Sequence, residues 1–252
     1  MASLHEIIAF TDSYLDTGSI KDYCPQGLQA EGRGEVGKIV SGVSACAALF
    51  GEAVKRKADA VLVHHGMFWD SEPRVLKGSL KERVKLLLEN DLSLIAYHLP
   101  LDRHPVSGNN IQLVKRLGLV DAEPFGDYHG KSIGYAAKTA APVKIAAFME
   151  TVKEKINPAA RFHAFGPGEI KSVAICSGAA PELVREAIER RADMFITGEE
   201  PEWIYHLARE EKIHYVAAGH HATERFGVMA LGEVISEKFG VPVEFVDIPN
   251  PI

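Results

Sequence analysis

The 252-residue sequence has little cysteine, no long hydrophobic run and no excess of positive charge. Each shortage excludes something. Three scattered cysteines, Cys24, Cys46 and Cys176, are too few for a disulfide framework and lack the spacing of a zinc ribbon. Both Cys46, expected in a helix, and Cys176, at the end of an apolar strand, read as small buried hydrophobes rather than nucleophiles. No apolar stretch approaches the ~20 residues of a membrane helix. Residues 1–10 lack the basic head, apolar centre and small-residue cleavage site of a secretory signal, so a reducing, cytoplasmic setting is expected. Acidic residues outnumber basic ones, 34 against 28, which argues against a general electrostatic grip on nucleic acid or an anionic membrane. Gly32-Arg33-Gly34 precedes no Lys-Ser or Lys-Thr pair and follows no predicted strand, so it is not a phosphate loop. The Gly-x-Ser-x-Gly elbow of hydrolases is also missing.

What is present is an ordinary globular composition, 46% hydrophobic and 25% charged, in a chain long enough to bury a sizeable core. Helical spacing of Leu4, Ile7, Ile8 and Leu15 predicts a helix over residues 1–18, followed by a turn-rich loop over 21–37. Strand and helix then alternate. Strands are expected at 38–43, 60–63 and 92–97, and helices at 44–57 (capped by Ser44), 79–90 (opened by a Ser79–Glu82 capping box) and 109–117. Residues 131–137, 143–156 and 161–165 read as strand, helix and strand. This alternation implies crossover connections and a largely parallel sheet.

The pattern also repeats. Glu52-Ala53-Val54-Lys55-Arg56-Lys57-Ala58-Asp59 matches Glu186-Ala187-Ile188-Glu189-Arg190-Arg191-Ala192-Asp193 at five of eight positions. Each copy follows a strand ending in Ser-Gly (Ser41-Gly42, Ser177-Gly178) and leads into another apolar strand. The expected architecture is therefore α/β: two intertwined, duplicated halves, 1–122 and 123–252, with a metal site at strand ends between them.

Three histidine clusters carry that last expectation. Val63-His64-His65-Gly66 ends one apolar strand; adjacent side chains point to opposite faces of a strand, so the pair can serve one site only where the strand stops. Gly66 suits such a stop by letting the backbone turn. His98-Leu99-Pro100-Leu101-Asp102 follows a second strand, and His220-His221-Ala222-Thr223-Glu224 a third. Both read His-x-x-x-carboxylate. Ligands gather at the carboxyl ends of strands in open parallel sheets. Imidazole with carboxylate suits Zn²⁺, Mn²⁺ or Fe²⁺. Four histidines and two acids exceed one tetrahedral site and point to two ions, which at about 3.5–4 Å apart can generate hydroxide and stabilise developing negative charge. In the second copy Gly198-Glu199 replaces His64-His65, so that motif does not recur as a metal site. Trp69 and Trp203 are expected in core or subunit-interface packing. His5, His129, His163, His206 and His214 lack a comparable context and read as structural or exposed.

With Gly27-Leu28-Gln29-Ala30-Glu31-Gly32, Gly108-Asn109-Asn110, Gly219 and Arg225 beside the third cluster, and Asp247-Ile248-Pro249-Asn250-Pro251 added, the chain resembles the YbgI-type dinuclear-metal family, the GTP cyclohydrolase 1 type 2 homologs. The motifs run from near the first residue to the last. The resemblance implies two divalent cations per subunit (Zn, Fe or Mn) and a toroidal homohexamer with its sites facing an internal cavity. Carried across, His65 and Asp102 would bind one metal, His64 and His220 the other, and Glu224 would bridge them. His98 would stand beside the site, either to support a ligand from behind or to move a proton. Two functions then stay open: a metal-dependent hydrolase acting on nucleotides in the manner of a GTP cyclohydrolase, and a non-catalytic metal-binding or regulatory ring. Arg103, His104 and Arg225 flank the ligand motifs, either to meet phosphates or as surface and interface charges. Nucleic-acid binding is weakened by the net charge of −6.

Overall fold

A computed structural model describes residues 1–72 and 75–252. The chain divides into two compact units, Met1–Leu101 with Gly227–Pro249, and Asp102–Phe226 with Asn250–Ile252. This is a division by contact, different from 1–122 and 123–252, which separates the two copies of the repeat.

In the first unit, Val243–Phe245, Ile39–Ser44, Ala60–His65 and Ser93–Ala96 run parallel, and Gly27–Ala30 closes the far edge antiparallel. Both faces are covered, which is why the strands are apolar without alternation. Ile39, Ala60, Leu62 and Ile95 pack with Leu4, Ile7 and Leu15 of the helix Leu4–Leu15 and with Val228, Leu231 and Ile235. Val40, Val61, Val63 and Leu94 face the other way, toward Leu49, Phe50 and Ala53 of Ala47–Lys55 and Leu87 of Gly78–Glu89. Truncating a core side chain such as Leu62 to alanine would cost about 2–5 kcal/mol.

In the second unit, Glu169–Ile175, Met194–Thr197 and His214–Ala217 are parallel. Arg161–His163 closes one edge antiparallel, and the long hairpin Leu119–Tyr128 with Lys131–Lys144 closes the other. The hairpin turns on His129 and Gly130, both at positive φ (52° and 80°), the geometry of a two-residue turn matched to strand twist.

The octapeptide repeat is one local device used twice. Arg56 pairs with Glu52, and Arg190 with Glu186 at 2.7 Å. Each helix then ends on a left-handed residue at the same position, Lys57 (φ 55°) and Arg191 (φ 56°). Asp59 Oδ2 accepts the N–H groups of Gly37 and Lys38 at 2.7 and 3.1 Å; Asp193 Oδ2 accepts those of Lys171 and Ser172 at 2.8 and 2.9 Å. The aspartate that ends each repeat thus holds the backbone of the strand that precedes the repeated helix, just ahead of Ile39 in one copy and at the irregularity between Ile170 and Ser172 in the other.

Local expectations need correction, beginning with the strand expected over 131–137, which runs on to Lys144 so that the next helix starts at Ile145. Ser44 ends a strand, and Cys46, not Ser44, stands at the helix N-cap. The helix expected from Ser79 begins at Gly78 behind Lys77 with no side-chain cap, so Ser79 lies inside the first turn and the capping box does not form. The loop over 21–37 contains Gly27–Ala30 and also Glu35–Val36, which pairs with Ala2–Ser3. Strands this short carry no periodicity to read. Among the described residues, no helix is long and apolar enough to cross a membrane.

Candidate metal centre

In the first unit, the strand Ala60–His65 stops at the histidine pair, and the two rings come together with centroids 4.6 Å apart. His64 is fully buried, and its Nδ1 donates to the Tyr97 carbonyl at 2.9 Å. A carbonyl only accepts, so the proton sits on Nδ1 and Nε2 presents its lone pair. His98 is treated the same way by a carboxylate: Nδ1 donates to Asp22 at 3.0 Å. Asp22 also accepts the N–H of Leu99 at 2.9 Å, and Gln26 accepts that of His98 at 2.8 Å. Burial alone would raise the Asp22 pKa, but the His98 ring and the N–H groups of Leu99 and Tyr23 outweigh it and hold the carboxyl below its usual value. One ring nitrogen from each of His64, His65 and His98 lies within 4.8 Å of the others. Cys24 groups with Asp22 and His98, but burial and the Asp22 charge push its thiol up to about 12, so it remains protonated at neutral pH.

The strand stops just before Gly66, as expected, and the glycine also permits a close approach, since a Cβ there would overlap the Gln29 amide. Gln29 in turn accepts the Met67 N–H at 2.8 Å and donates to the Pro25 carbonyl at 2.8 Å. Trp69, half-buried, sets its indole edge-to-face against His98 (5.1 Å between centroids) and 5.8 Å from the His65 ring.

In the second unit, His220 opens a short helix, His220–Thr223, directly after the strand His214–Ala217 and Gly219 (φ 91°). Its Nδ1 donates to Glu199 at 2.6 Å and its Nε2 lies 3.1 Å from Glu224. Burial pulls the His220 pKa down, but the two carboxylates more than offset this and raise it to about 9. Glu224 is buried over Gly178, whose φ of 66° and missing Cβ make the space: a methyl there would overlap the carboxylate. Asp102, also buried, has Oδ1 fixed by Asn109 at 2.9 Å and by Ser177 Oγ at 3.1 Å. Asn110 accepts the Ser177 N–H at 2.7 Å, which explains the Gly108-Asn109-Asn110 motif as the scaffold of that carboxylate.

Flanking residues have local duties. His104 Nδ1 accepts the Ser107 N–H at 3.0 Å within its own turn. Arg225 donates to the Ile156 carbonyl at 2.8 Å and stacks over Phe226. His214 is buried between Gly166 and Pro167, and His163 pairs with Glu200. Sequence reading missed Asp22, Gln26, Ser177, Glu199 and the place of Trp69 beside His98. Only Glu199 carried a signal, since it occupies the repeat position of His65.

The donor chemistry fits a divalent metal: three imidazoles with Nδ1 engaged, and carboxylates held by hydrogen bonds. The family profile described as Duf34/NIF3 (NGG1p interacting factor 3) matches residues 2–251. The chain belongs to the Duf34/NIF3 family. A Pseudomonas aeruginosa relative called GTP cyclohydrolase 1 type 2 homolog is 44% identical over 249 residues, covering 99% of this chain and 98% of that one. A solved structure described as protein ybgI, of unknown function, is 39% identical with a TM-score of 0.95, each chain covered completely. TTHA1606 from Thermus thermophilus is 30% identical with a TM-score of 0.92, again over both whole chains. The resemblance read from the motifs is therefore correct, as is the mixed α/β class.

Proposed function

We propose that this Duf34/NIF3 protein is a dinuclear divalent-metal protein and a metal-dependent hydrolase whose substrates include nucleotides. In this reading His65 and Asp102 hold one cation, His64 and His220 the other, and Glu224 joins both. The cations are Zn²⁺, Fe²⁺ or Mn²⁺, two per subunit.

The observation that carries the reading is the common treatment of three histidines. His64, His98 and His220 each have Nδ1 tied to a carbonyl or carboxylate, which fixes where Nε2 points; at His220 it points at Glu224. Metal-binding imidazoles are held in this manner, which fixes both tautomer and ring orientation. Cations held there would supply Lewis acidity, activating water and offsetting negative charge on the reacting group. The protein's own groups do the rest. Tyr97 and Glu199 orient His64 and His220, while Asn109 and Ser177 aim Asp102. His98 moves the proton, its ring held in place by the Asp22 carboxylate behind it. The relatives' description as GTP cyclohydrolase 1 type 2 homologs supports nucleotides as substrates. The reading includes a toroidal homohexamer working in the cytoplasm, in keeping with three free cysteines.

The test is turnover by metal-loaded protein against GTP, other nucleotides, phosphoesters and amides, with Glu224→Ala and His98→Ala as controls. The expected result is hydrolysis by the wild type, none by Glu224→Ala, and retained metal with lost turnover in His98→Ala. A full complement of metal with no turnover on any substrate would overturn the hydrolase and leave the non-catalytic ring. Light scattering should give the mass of six chains.

A further inference from the structure

Against the histidine cluster of the first unit lies a pocket of about 330 Å³, lined by Pro25, Met67, Phe68, Trp69, Val75 and Leu80 among others. Its volume falls within the usual range for small-molecule sites, and its wall is mainly apolar. Trp69 belongs to both places: it lines the pocket and sets its indole against His98 and His65. Tyr23, 45% exposed, adds a second ring, 5.5 Å from Trp69 and 5.2 Å from His98. Two carboxylates, Asp70 and Glu72, complete the lining. Their backbone is anchored to the aromatic pair, Asp70 N–H to the Tyr23 carbonyl at 2.9 Å and Glu72 N–H to the Trp69 carbonyl at 3.0 Å.

We propose that this pocket is the specificity subsite of the metal centre and takes a planar heteroaromatic ring bearing N–H donors, the size of a nucleobase. The inference rests on reading the histidines as metal ligands, since that makes the pocket part of a reaction site. The ring stacks on Trp69 among the apolar side chains, as bases do on aromatic platforms. Asp70 and Glu72 accept from its ring and exocyclic N–H groups, the pairing that carboxylates make with base edges. The rest of the substrate then extends past Trp69 toward His98 and His65.

The experiment uses metal-loaded protein carrying Trp203→Phe, which leaves Trp69 as the sole tryptophan. Guanosine, cytidine and ribose 5-phosphate are titrated while Trp69 fluorescence is followed, and again with Leu80→Trp read by calorimetry to fill the pocket. Saturable quenching by guanosine, none by ribose 5-phosphate, and at least about tenfold weaker guanosine binding in the filled variant are expected. Equal responses to guanosine and ribose 5-phosphate, or no saturable response to either nucleoside, overturn the subsite. A change in oligomeric state on filling, with no nucleoside response, identifies the pocket as a contact between copies and overturns it as well. Repeating the titration on metal-stripped protein separates the two readings. Guanosine binding there, alongside a failure to bind metal, sinks the metal centre alone; full metal content without guanosine binding sinks the subsite alone.

Discussion

Glu199 receives the Nδ1 proton of His220 at 2.6 Å, and it does so from the position that His65 occupies in the other copy of the repeat. One strand end carries an imidazole; its counterpart carries a carboxylate that holds another imidazole.

Removing that partner should weaken metal binding without unfolding the protein. Outer partners of metal-binding histidines are typically worth 10–100-fold in affinity. For Glu199→Ala, a loss of about that size is expected in a Zn²⁺ competition titration against a chelator, with an unchanged circular dichroism spectrum. Wild-type affinity in the variant would show that His220 needs no orienting group.

Metal-free protein should depend on pH through the same histidine. Its pKa is raised from 6.5 to about 9 by Glu224 and Glu199 acting against burial. A group whose pKa is higher folded than unfolded gives stability that is complete below the unfolded value and is lost as pH rises through the folded one. Denaturant midpoints of the metal-free protein should therefore fall between about pH 6.5 and 9, more in the wild type than in His220→Gln. Parallel curves would contradict the charged cluster.

Gly178→Ala probes the space beneath Glu224. The left-handed φ of 66° disfavours a side chain by about 1–2 kcal/mol, and the added methyl would overlap the Glu224 carboxylate. Lower stability by at least that amount and weakened metal binding are expected from denaturation and metal titration. A variant that binds metal like the wild type would place Glu224 outside the centre.

Asp59 and Asp193 offer a test of the repeat as a structural device. Each carboxylate accepts two consecutive backbone N–H groups, before the strand at Asp59 and within it at Asp193. Replacing either with alanine should cost about 2–4 kcal/mol in chemical denaturation, because charged acceptors are lost from two partly buried donors. Near-neutral effects at both would reduce the repeat to a coincidence of composition.

Much of this was legible in the sequence because it was written in periodicity and strand ends. The apolar runs ending in His64-His65, in Tyr97 and in Ala218 announced parallel strands with chemistry at their carboxyl ends. Asp102 and Glu224 stood out only by their spacing from a histidine. The supporting groups were harder to see. Asp22 and Gln26 lie more than 70 residues from His98 in a loop without pattern, and nothing local marks a carboxylate that acts at such range. Trp69 read as core or subunit-interface packing because a tryptophan after a strand has no feature that distinguishes a buried ring from one lining a pocket. The edge strand Gly27–Ala30 is too short for alternation to register and was lost in the expected loop, whereas Arg161–His163 falls within the strand expected over 161–165.

The most direct test of the metal centre is a count of divalent cations per chain by elemental analysis, on protein purified without chelator, for the wild type and Glu224→Ala. Two per chain in the wild type and none in the variant is the predicted result. No bound cation in the wild type after incubation with Zn²⁺, Fe²⁺ and Mn²⁺, or two cations persisting in Glu224→Ala, would contradict it.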